Sequence, residues 1–146
     1  MLSRFKVSLT CIFLVYAGLA HASPAAQEAS AYETLKIKAM ICKEEYMIGL
    51  LKVGQGETTL QQAYSDFLGC RGAVSKASKE VYKKVLGKAK GSDAKKALKD
   101  YQVAFMTFLD GIDAKAGETK YDYSLRFSAL EDNLSMAKRR LDLELE

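Results

Sequence analysis

Two cysteines, a run of lysines and a few close-set carboxylates are the residues of this 146-residue chain that could carry chemistry. Cys42 and Cys70 flank the turn sequence Val53-Gly54-Gln55-Gly56-Glu57-Thr58, and the midpoint between them falls inside that turn. If the flanking segments fold back on each other, the two sulfurs stand at the same height and can join. An oxidising compartment makes this pair a disulfide. A reduced, packed pair is the alternative, because both cysteines also lie on apolar stripes. A redox-catalytic role is not expected, since nothing resembles Cys-x-x-Cys.

The carboxylates offer little for acid–base work. Glu44-Glu45 and Glu131-Asp132 are sequence neighbours, and neighbours on a helix diverge by about 100°. Glu118 with Asp122, and Asp142 with Glu146, share faces, but they sit at an expected helix start and at the chain end, where solvated carboxylates belong. The one histidine, His21, lies in an N-terminal segment expected to be removed. A serine or cysteine nucleophile would then lack its usual base, and a non-catalytic protein is expected. No cofactor or metal is expected either, for want of a ligand cluster at helical spacing. Met40 and Met47 share a helical face that Met106 and Met136 could approach; adaptable core filling is the preferred reading over a soft Cu(I) site.

The clearest anomaly is charge. Residues 71–99 hold ten basic side chains against Glu80 and Asp93, a net charge of +8, whereas 23–70 (four basic, six acidic) and 100–146 (six basic, ten acidic) are net acidic. Lys83, Lys84, Lys88 and Lys90 suit a helix C-terminus, but Lys95 and Lys96 oppose the dipole at a helix N-terminus. These six form a candidate site for an anionic partner, either an acidic protein surface or an envelope polymer. A plain solvated face is the competing reading. Nucleic acid is the weakest, because aromatic residues other than Tyr82 sit on core stripes rather than among the lysines.

The elements that must position these groups begin after a secretory signal. Arg4 and Lys6, the apolar run Val7 to Ala20 and the small residues of Ala20-His21-Ala22 predict cleavage after Ala22. The run is well short of the ~20 residues needed to span a bilayer, so no membrane anchor should remain. The expected organisation is a signal peptide at 1–22, a flexible leader at 23–29 and one helical domain at 30–146, located in the periplasm or secreted.

Within 30–146 four amphipathic segments follow one another. Ser30 and Glu33 have the form of a capping box, ahead of the stripe Leu35, Ala39, Cys42, Tyr46, Gly49 and Val53. Ile37, Met40, Ile41, Met47, Ile48, Leu50 and Leu51 widen that face, so this first helix should be the most buried. Thr58 and Gln61 should cap the second, with stripe Leu60, Ala63, Phe67, Cys70, Val74, Ala77, Val81 and Val85. Its internal Gly69 and Gly72 suggest close approach of two backbones at the disulfide, with a kink that opens a groove as the alternative. Ser92 or Asp93 should cap a third, carrying Leu98, Tyr101, Phe105 and Phe108. Thr119 should cap a fourth, carrying Tyr123, Phe127, Leu130, Leu134, Leu141 and Leu145. The fold class is therefore all-α, a four-helix up-down-up-down antiparallel bundle with one disulfide between the first two helices.

In size, expected export and cysteine economy the chain is similar to small periplasmic all-α proteins stapled by one disulfide. These include immunity proteins that block secreted cell-wall-degrading toxins, and some lysozyme inhibitors. That outline implies a protein-binding module with an envelope or secreted partner. It assigns no site residue. A binder of small ligands or anionic polymer, and a homodimeric envelope protein, are the alternative expectations.

Overall fold

The computed structural model describes residues 22–146, so residues 1–21 of the expected signal lie outside the described residues. All regular structure among the described residues is helical: α1 (Pro24–Ala29), α2 (Ala31–Gly54), α3 (Leu60–Lys88), α4 (Ser92–Asp110) and α5 (Lys120–Leu145). The four expected segments are α2 to α5. No described helix is long and apolar enough to cross a membrane.

α1 is a correction. Residues 23–29, expected as a flexible leader, form a helix with Pro24 at its start and Ser23 as its cap, whose Oγ accepts from the Ala26 N–H at 3.2 Å. Ala25 and Ala29, four residues apart on one face, are buried, and α1 packs on α3 with smaller contacts to α2 and α5. Ser23 Oγ also donates to the Leu145 carbonyl, tying the chain's first described turn to its last. Because α1 runs nearly into α2, Ser30 is itself helical and donates to the Gln27 carbonyl at 2.6 Å, so the capping box expected at Ser30 does not form.

Other caps fall close to expectation. Thr59, one residue past the expected Thr58, caps α3 by accepting from Gln62 N–H. Thr119 caps α5 in a complete capping box with Asp122. α4 instead starts at Gly91, whose φ of 84° belongs to the region glycine tolerates, with no side-chain cap from Ser92 or Asp93.

α2 packs along α3 and α4 along α5, each pair joined by a short turn, and α3 meets α4. The core is aromatic at its centre. Tyr32 of α2 meets Tyr101 and Phe105 of α4 edge to face at 4.8 and 5.4 Å, with Phe108, Leu98, Ile112 and Leu141 buried around them. Full burial of side chains of this size is worth roughly 1.5–3 kcal/mol each. Three cations on α2 and α5 then clip these helices together. Lys36 pairs with Glu131 at 3.4 Å, Lys138 with Glu33 at 3.9 Å, and the Lys43 ammonium lies 4.4 Å from the Phe127 ring centroid.

One buried polar group interrupts the apolar interior. Ser78 of α3 donates to the Ser75 carbonyl at 2.8 Å and accepts from Gln102 Nε2 at 3.2 Å, while Tyr32 donates its hydroxyl to Gln102 Oε1. Every member thus has a partner, which is what makes a buried serine tolerable.

Candidate functional site

Helix lengths decide where the surface becomes unusual. α3 has 29 residues and α4 has 19, a difference of about 15 Å at 1.5 Å per residue. The excess emerges at one end. Arg71 meets Asp113 of the α4–α5 turn at 3.8 Å, and Lys43 sits 4.9 Å from the Tyr123 ring near the start of α5. Beyond those levels α2 and α3 have only each other. No residue of α2 after Cys42 is buried, and α3 contributes only Ala63 and Phe67 there. Residues 44–69 form a projecting two-helix arm.

The arm is held by three devices. At its base Cys42 and Cys70 lie at disulfide distance, their Cα atoms 5.7 Å apart. Above them Tyr46 stacks on Phe67 at 4.8 Å. Further out the helices touch at Gly49, where an added Cβ would stand 3.1 Å from Ala63 Cβ. The expectation that Gly69 and Gly72 provide the close approach is therefore corrected. Both are exposed, with nothing within 4 Å of a Cβ added there.

A pair of helices cannot bury apolar side chains on all their faces, and α2 carries them on every face. Ile48, Leu51 and Leu60 are 52, 68 and 57 % exposed, and Ile37, Ile41, Met47, Tyr64 and Leu68 are exposed beside them. This overturns the expectation that the first long helix would be the most buried. Clustered exposed apolar side chains mark interaction surfaces on soluble proteins.

Two clefts open along the α2–α3 seam, one in the arm and one below its base. The larger, about 440 Å³, is lined by Tyr46, Gly49, Ala63 and Phe67 with the carboxylates of Glu45, Glu57 and Asp66 against one lysine, Lys52. The smaller, about 290 Å³, continues it past Lys38, Ile41 and Ala73. Cys42, Cys70 and Glu45 line both. Glu45 makes no ion pair among the described residues.

The lysines singled out from sequence gather at the other end of the molecule, where α3 ends and α4 begins. They are not equivalent. Lys88 pairs with Glu28 of α1 at 2.6 Å, which holds the Glu28 carboxyl below the usual range chiefly through that hydrogen bond. Lys83 pairs with Glu80 at 3.0 Å within its own helix. Lys84, Lys90, Lys95 and Lys96 are exposed and make no ion pair among the described residues. Glu144 and Glu146 line a cleft with Lys88 and Lys90, so the chain's acidic end also approaches this patch.

The carboxylates have structural tasks. Glu118 accepts from Arg126 at 2.6 and 2.8 Å and from the Lys115 backbone N–H at 2.9 Å, and these bonds, the guanidinium first, hold its carboxyl down at about 2. Arg126 also donates to the Gly111 and Asp113 carbonyls, so one side chain locks the whole α4–α5 turn. Asp122 serves the α5 cap, Asp142 pairs with Lys138 at 2.6 Å, and Glu131 with Lys36. Among the described residues, no three His, Cys, Asp or Glu side chains group as a metal site would require. Met40, Met47, Met106 and Met136 are dispersed: Met106 Sδ accepts from Ser75, Met40 packs on the core, and Met47 and Met136 are exposed.

What the sequence reading missed is the arm. Its signal was available in the apolar residues that occur all round α2, together with a third helix ten residues shorter than the second. A search of protein-family models, curated proteins and solved structures returns no match to this chain.

Proposed function

We propose that this is an exported, non-catalytic protein-binding module that engages an envelope or secreted partner through the α2–α3 arm. An inhibitor or immunity role against an envelope-acting enzyme is its sharpest form. The observation that supports it is the overhang: a disulfide-clamped two-helix projection whose large apolar side chains face solvent. An exposed apolar face risks aggregation and gains nothing for the isolated molecule, whereas a partner that covers it recovers the burial energy. The reading takes the four long helices as an up-down-up-down antiparallel bundle, a path supported by the short connections α2–α3, α3–α4 and α4–α5.

The test is site-specific photo-crosslinking in the exporting cell. A crosslinker at Leu51 or Leu60 should give a discrete adduct with one other protein, identified by mass spectrometry. Absence of any adduct from arm positions would overturn the proposal.

A second reading rests on Lys84, Lys90, Lys95 and Lys96, which are exposed and free of ion pairs among the described residues. Here the lysine end binds an anionic envelope polymer. It predicts salt-sensitive retention on such a polymer that is lost when these four lysines are replaced by glutamine and unchanged by substitutions in the arm.

A further inference from the structure

We propose that the groove along the arm seats one amphipathic helix of the partner, entering with a lysine or arginine that faces Glu45. This rests on the protein-binding reading and names what the arm receives.

The groove has the parts a helix seat needs. Its floor is apolar and rigid, made by the Cys42–Cys70 link with Phe67 and Ala63. One wall is tall: Ile41 and Ile48, seven residues apart and therefore on one face of α2, stand half exposed along it. The other wall is low. Ala73 and Ala77 of α3, one turn apart, line the smaller cleft with methyl groups alone. Such a combination lets a third helix lie close to α3 while packing its side chains against the isoleucines, the usual arrangement for a helix bound in a groove. The two clefts share Glu45 and both cysteines, so the seat runs from the arm down past its base.

Charge chooses the occupant. Across the two clefts Glu45, Glu57 and Asp66 stand against Lys38 and Lys52, and Asp66 already accepts from Gln62 at 2.8 Å. Glu45 stands at the junction of the clefts without an ion pair among the described residues. A cation in the apolar stripe of the incoming helix would meet it there. An acidic helix would be repelled at the same point, which makes the position a source of specificity.

A display library of helical peptides with randomised seam positions tests this, using the protein purified with its cysteine link intact. Selection should enrich apolar residues at i, i+3, i+4 and i+7 spacing with lysine or arginine at one seam position. A selected peptide should bind at least tenfold more weakly to Ile48→Asp and to Glu45→Lys, and replacing its basic residue by glutamate should restore affinity for Glu45→Lys. Leu143→Ser, an exposed change on α5, should leave binding unaltered, and helical circular dichroism should match for all variants. Enrichment without a basic residue, no enrichment, or equal binding by Ile48→Asp would overturn the proposal. So would a dimer of the protein alone that Ile48→Asp dissociates, which would give the groove to a second copy. If the photo-crosslinked partner is still captured by the Ile48→Asp/Glu45→Lys double variant, the groove assignment fails while the binding-module reading stands.

Discussion

Cys42 and Cys70 join α2 and α3 at the level where Arg71 of α3 meets Asp113, so the link closes the arm at its base. Below that level other helices hold α2 and α3 together; above it the contacts between them include Tyr46 with Phe67 and Tyr64 and the approach of Gly49 to Ala63. Removing the link by Cys42→Ala/Cys70→Ala should cost about 3–4 kcal/mol, the chain-entropy value for a loop of this size, read as a lower denaturant midpoint. The loss should be uneven. Amide exchange in residues 44–69 should accelerate more than exchange in α4, since the arm has the least burial to fall back on. Alkylation of both cysteines in the exported protein without prior reduction would contradict the link itself.

Glycines separate positions that packing needs from positions it does not. A Cβ at Gly111 would lie 2.5 Å from Leu130 Cδ1 and 3.2 Å from an Arg126 nitrogen, inside the locked α4–α5 turn. Gly111→Ala should therefore destabilise by about 1–3 kcal/mol through overpacking. At Gly72 a Cβ meets nothing within 4 Å, and the residue is exposed in mid-helix. Gly72→Ala should stabilise by up to ~1 kcal/mol through helix propensity. Opposite shifts in thermal midpoint are the expected pair of results.

Sequence periodicity made the helices legible, because stripes such as Leu98-Tyr101-Phe105-Phe108 point to one face whatever they pack on. Thr119 was legible as a cap for a local reason, its hydroxyl serving an N–H three residues away. The cysteine pair was legible from symmetry about a turn. The arm was not, because Ile48 and Leu51 look the same in sequence whether a neighbouring helix covers them or not. Only the overhang of α3 past α4, a property of two elements at once, separates those cases. Gly69 and Gly72 misled for the same reason: a glycine reports permission for close approach and does not say whether a neighbour uses it. Ser78 and its partners Tyr32 and Gln102 lie 46 and 24 residues from it along the chain, beyond any local pattern.

Arg126 and Glu118 should give the protein a specific acid response. Glu118 is held at about 2, against its ordinary 4.5, by the guanidinium first and the Lys115 N–H second. A carboxyl whose folded value is depressed stabilises the fold above its ordinary value, and that contribution disappears as pH falls toward the folded value. The window is therefore from about 4.5 down to about 2. Glu118→Gln should be less stable than the parent at neutral pH, with the two denaturation midpoints converging through that window. Parallel curves would show that the clasp does not titrate with folding.

Alkaline stability should turn on two buried phenols. Tyr32 and Tyr101 are pushed well above the ordinary value of 10, in both cases first by burial; Tyr101 is raised further by the Glu33 charge, and Tyr32 by Tyr82. Above pH 10 the unfolded chain releases these protons and the folded one keeps them, so stability must fall as pH rises. Tyr101→Phe removes one such group and should flatten the fall. Tyr32→Phe should flatten it too, but from a lower start, because losing the hydroxyl deprives Gln102 Oε1 of its donor within the Ser78 network at a cost of about 1–2 kcal/mol. Midpoints measured from neutral to strongly alkaline pH, with tyrosinate absorbance followed in parallel, separate the two effects. The parent should show two phenols that ionise only as the fold is lost, and each variant one. Ionisation of Tyr32 and Tyr101 together with the exposed tyrosines, before unfolding, would contradict the burial on which the core depends.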